Sequence, residues 1–98
     1  MYDKQVVEEC LRNYTILNQV SIEKDDKELL TVKMDIDKGL RKLQGISVNL
    51  HNTLLGVFVY GNPIQEQAKQ MGVSKRQILR RLDDGLHMLT MIMNGEVL

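Results

Sequence analysis

Apolar positions along this 98-residue chain recur every three or four residues, the period of helices that bury one face. Val6, Val7, Cys10, Leu11, Tyr14 and Leu17 set out a first amphipathic helix from Asp3 to Gln19. The polar stretch from Ser21 to Asp26 interrupts it, and Asp25 with Glu28 three residues on makes a start for a second helix. In that helix Leu29, Val32, Ile36, Leu40 and Leu43 form a narrow stripe, and Gly45 is the expected end. Gly39 inside it costs about 1 kcal/mol relative to alanine, which points to close approach of another backbone. From Ile46 to Tyr60 the chain is apolar nearly all round, with Leu50, Leu54, Leu55, Val57, Phe58 and Val59, so this segment is expected to be the central, most buried helix.

The next stretch carries the densest local signals. Asn62 is placed to cap a helix with Pro63 at its first position and Gln65 closing a capping box, while Ile64, Ala68 and Met71 share one face. Gly72 then stands where a chain leaving a helix needs a left-handed conformation, Val73 is apolar, and Ser74 is placed to cap the next helix. Ile78, Leu82, Leu86 and Leu89 give that helix a buried stripe; it is expected to run to about Met93, with Asn94 and Gly95 as its cap. Lys75, Arg76, Gln77, Arg80 and Arg81 fall outside the stripe. Two short helices around a glycine turn, the second presenting cationic and amide side chains at its N-terminal end, form the helix-turn-helix geometry that reads the major groove.

Laid without gaps from Pro63 to Leu89, this segment resembles the second half of region 4 of bacterial sigma-70-type factors, on Ala68, Gly72, Val73, Ser74, Ile78, Leu82, Leu86 and Leu89. Val48 to Gly61 resembles the helix that precedes it in such domains. The opening from Val6 to Val20 resembles the first helix of small phage-encoded transcription regulators of the ArpU/RinA type. The resemblance implies a DNA-binding transcription regulator encoded by a phage or mobile element. It implies that Lys75, Arg76, Gln77 and Arg80 face bases or adjacent phosphates. Gln67, Lys69 and Arg81 fit backbone-phosphate roles, as do the amides around Ser74.

Composition narrows the alternatives. Apolar residues make up 43% of the chain but aromatic ones only 4%, which suits aliphatic helix packing, and 98 residues suit one core. The expected fold is all-α: an N-terminal helical hairpin over residues 1–45 for interaction or dimerisation, and a sigma-region-4-like helix-turn-helix over residues 46–98, sharing one core. No run of 18 apolar residues occurs and the start is charged, so neither a membrane partner nor a secretory signal is expected, and a cytoplasmic location is. Thirteen basic residues balance thirteen acidic ones, yet no acid falls between Lys69 and Leu82, where Lys69, Lys75, Arg76, Arg80 and Arg81 lie.

Catalysis has little to stand on. His51 and His87 are isolated, no glycine-rich phosphate loop occurs, and no metal-ligand spacing appears, so no catalytic residue, metal or cofactor is expected. Cys10 on an apolar face is read as a small core residue. Arg80 and Arg81 can pair with Asp83 and Asp84 three or four residues on, but exposed pairs of this kind contribute only about 0.3–0.5 kcal/mol. The expected partner is double-stranded DNA bound by a homodimer, joined through the hairpin or through Met88, Met91, Ile92 and Met93. The rival reading is an interaction module that binds RNA polymerase or another regulator through a sigma-like fold.

Overall fold

The computed structural model describes residues 1–23 and 27–96, and among them every regular element is helical. Helix α1 spans Lys4–Arg12, its first turn closed by Asp3, which accepts from the Val6 N–H at 2.9 Å. Val7 and Leu11 are its fully buried side chains. The single helix expected from Asp3 to Gln19 is broken at Asn13 (φ −105°, ψ 18°), whose side chain donates to the Glu9 carbonyl at 2.9 Å. An asparagine side chain that competes for a helical carbonyl is a local reason for the break. Helix α2, Tyr14–Glu23, then runs past Gln19 alongside α3, Lys27–Ile46. The Tyr14 hydroxyl at the start of α2 donates to Asp37 in the second half of α3, so the two helices run in opposite directions.

The start expected at Asp25 lies outside the described residues, and α3 does not end at Gly45 but continues to Ile46. Ser47 sets the boundary: its extended backbone leaves the helix, and its hydroxyl accepts from the Leu50 N–H at 3.3 Å as the cap of α4, Val48–Leu54. The helix expected from Ile46 to Tyr60 therefore starts later, and its last turn, Leu55–Val59, is π-helical. The π turn brings Gly56, Val57 and Phe58 inside, and the Arg12 guanidinium of α1 lies 4.7 Å from the Phe58 ring centroid.

Helix α5 spans Ile64–Met71 and packs on α6, Lys75–Met93. The expected cap at Asn62 is corrected: Pro63 precedes the helix without a side-chain cap, and the Asn62 amide instead donates to Gln67 at 3.0 Å. The long α6 is the spine of the molecule. It packs on α1, α3, α4 and α5 through Ile78, Leu82, Leu86 and Leu89, and Gly85 lets α4 come close, since a Cβ there would sit 3.0 Å from Leu54 Cγ. Gly39 serves the same end on α3, but what approaches it is side chains, Leu89 and Met93, rather than the backbone expected. Met88, Ile92 and Met93 thus pack against the chain's own core. Tyr2 and Asn94 close the bundle reciprocally, the Tyr2 N–H donating to Asn94 Oδ1 and Asn94 Nδ2 to the Tyr2 carbonyl, each at 2.8 Å.

Candidate nucleic-acid interface

The turn between α5 and α6 is built from local chemistry. Gly72 is left-handed (φ 68°, ψ 34°), its N–H and that of Val73 donate back to the carbonyls of Lys69 and Ala68, and half-buried Val73 packs against the core. Ser74 then caps α6 through a complete capping box: its hydroxyl accepts from the Gln77 N–H at 3.1 Å, and Gln77 Oε1 accepts from the Ser74 N–H at 3.0 Å. Gln77 is therefore a structural residue as well as a candidate contact, with its carboxamide oxygen committed to the turn. The box satisfies the Ser74 and Gln77 amides and leaves the N–H groups of Lys75 and Arg76 facing outward at a helix N-terminus, where anions are favoured.

Lys75, Arg76 and Arg80 are exposed on the first two turns of α6, Ser74 is exposed just before them, and Arg81 is half-buried at the flank. Lys69 is exposed on α5, at its last turn and close to the same junction. No carboxylate among the described residues lies within ion-pair distance of Lys69, Lys75, Arg76 or Arg81. Arg80 is 3.9 Å from Asp84, both side chains well exposed, so this pair is loose and readily exchanged. Asp83 is held from elsewhere: Lys4 of α1 reaches it at 2.5 Å, and this hydrogen bond, with the charge behind it, keeps the Asp83 carboxyl below its ordinary range. The ammonium of α1 thus offsets one of the two acids that follow the basic stretch of α6.

Gln67 must be withdrawn from the phosphate contacts expected of it. It is 5% exposed, accepts from Asn62, donates to the Met71 sulfur at 3.2 Å, and lies so close to Gly56 that a Cβ there would be 2.2 Å from its Oε1. It is the polar wedge that seats α5 on the π turn. The structure also presents a residue not expected at this face: Leu79, 53% exposed, between Arg76 and Arg80. The period gives no sign of its exposure, because Leu79 precedes Leu82 by three residues and Leu86 by seven, helical spacings that set it beside the buried stripe. Lys4 carries no signal either, being 79 residues from Asp83.

Away from this face, two tyrosine hydroxyls are tied to carboxylates of α3. Burial and Asp35, which accepts from the Tyr2 hydroxyl at 2.7 Å, push the Tyr2 phenol up to about 12. The hydrogen bond to Asp37, with burial behind it, does the same for Tyr14, also to about 12. Burial, then Glu9, raises the Cys10 thiol, which is half-buried against the core. Among the described residues no helix is long and apolar enough to cross a membrane. Compared with family models, curated proteins and solved structures, the chain matches none.

Proposed function

We propose that this chain is a sequence-specific double-stranded DNA-binding regulator of transcription, of the kind found among phage and mobile-element regulators, with α5, the Gly72 turn and α6 acting as its helix-turn-helix. The observation that carries the reading is the exposed, largely unpaired set Lys75, Arg76 and Arg80 on the first two turns of a helix whose opposite face is fixed in the core. Side chains at that end of a helix supported by a shorter one reach base edges, while Lys69, Arg81 and the open amides after Ser74 hold flanking phosphates. Arginine supplies the bidentate geometry that guanine offers in the major groove.

The reading includes pairing of two copies, because about five cations on one module make few phosphate contacts and specific affinity at physiological salt needs more. Ile16 on α2 and Leu30 and Met34 on α3 are 59%, 40% and 50% exposed on helices other than those bearing the basic face. That same apolar surface favours the second reading, in which RNA polymerase or another regulator is the partner. Selection of bound sequences from random duplexes tests the proposal: an enriched motif supports DNA reading, whereas no enrichment together with binding to polymerase subunits supports the rival.

A further inference from the structure

Leu79 is the large apolar side chain that α6 leaves outside. It is 53% exposed and takes no part in the core, which α6 fills instead through Ile78, Leu82, Leu86 and Leu89. Single exposed leucines are common and need no explanation by themselves. This one is distinguished by its place. It lies in the second turn of α6, four residues after Lys75 and three after Arg76, so helical geometry puts its side chain against those two cations, along the edge where the cationic surface meets the buried stripe continued by Leu82 and Leu86.

We infer that Leu79 is a specificity-determining residue that recognises thymine through its C5-methyl group; the inference rests on the DNA-binding reading of α6. Among the edges a base pair presents in the major groove, the thymine methyl is the apolar one, and an aliphatic side chain can contact it without leaving a buried donor or acceptor unpaired. A phosphate offers Leu79 nothing, whereas the neighbouring Lys75, Arg76 and Arg80 can serve either phosphate or guanine. The face thereby divides its chemistry: cations take phosphates and purine acceptors, and Leu79 takes a methyl. The preferred half-site should hold thymine next to a base pair read by Arg76 or Arg80.

The test removes the methyl without altering any hydrogen-bonding edge. Each thymine of the selected duplex is replaced in turn by deoxyuridine, and affinities of the unaltered protein and of Leu79→Ala are compared by fluorescence anisotropy. At one thymine or two adjacent ones, the unaltered protein should lose about fourfold in affinity, the weight of one buried methyl-sized group. Leu79→Ala should bind the thymine and deoxyuridine duplexes alike there. Because Leu79 lies outside the core, its melting point should stay close to that of the parent. A protein that prefers its site yet ignores every methyl, a Leu79→Ala variant that keeps the full discrimination, or a selected half-site without thymine overturns the inference and leaves the DNA reading standing. Absence of any duplex binding overturns both.

Discussion

Replacing Gly72 isolates the cost of one backbone conformation. Its φ of 68° lies where residues with a Cβ are strained, and a Cβ built there meets no atom within 4 Å, so packing contributes nothing to the change. The left-handed conformation costs an ordinary L-residue about 1–2 kcal/mol, is tolerated better by asparagine, and is worse for a β-branched side chain. For a domain of this size each kcal/mol moves the melting midpoint by roughly 4–8 °C. Gly72→Ala should therefore lower the midpoint by about 4–16 °C, Gly72→Asn by less and Gly72→Val by more. Thermal unfolding followed by far-ultraviolet circular dichroism at fixed concentration gives the ranking directly. Because the same turn sets the angle between α5 and α6, duplex affinity should fall in the same order even below the melting transition. Equal midpoints for glycine, alanine and valine would refute the argument, for then the turn is not held in the left-handed region.

Three further outcomes follow from the same geometry. Ile36→Glu, at a fully buried position of α3, should abolish cooperative unfolding because it puts a charge into the core, whereas Met34→Glu, half exposed, should keep the melt and, if the α3 face joins two copies, lower the mass seen by light scattering. Gln77→Ala removes the bond its side chain accepts from the Ser74 N–H but keeps the bond from the residue 77 N–H to the Ser74 hydroxyl, so it should cost about 0.5–1.5 kcal/mol of stability; any change in its sequence preference is read against Arg76→Ala, which keeps both bonds, and chemical denaturation separates the two effects. The phenols of Tyr2 and Tyr14 are raised from 10 to about 12, so their contribution is fully present below pH 10 and is lost as pH rises from 10 towards 12. Tyr2→Phe with Tyr14→Phe should flatten that alkaline loss of stability, and a variant retaining the parent's slope would contradict it.

What the sequence makes legible is what acts locally. Gly72, Val73, Ser74 and the stripe from Ile78 to Leu89 are each identified by a conformational preference, a capping reach or a period, and all operate within a few residues. The misplaced features depend on distant partners. Gln67 reads as one of several polar residues on α5, and only the close passage of Gly56 in the π turn turns it inward. A capping box forms at Ser74 and Gln77 but none at Asn62 and Gln65, because α5 starts later than expected, with Pro63 at its N-cap position, and the Asn62 side chain turns to Gln67. Ile36 fits a narrow seam as well as a core position on period alone, and its complete burial follows from how α3 packs against its neighbours. Lys4 reaches Asp83 only because α1 packs on α6.

The central claim, that the first two turns of α6 meet DNA, is tested most directly by the salt dependence of duplex binding in the unaltered protein and in Lys75→Ala, Arg76→Ala and Arg80→Ala. On a logarithmic scale affinity should fall linearly with salt, and each residue that touches a phosphate should reduce the slope by about 0.9 when removed. A residue that reads a base should instead narrow the gap between selected and scrambled duplexes. At least one of the three substitutions should change the slope and at least one should narrow the gap, with all three variants melting like the parent. Binding of duplex DNA that none of the three substitutions weakens, at any salt concentration, would contradict the central claim.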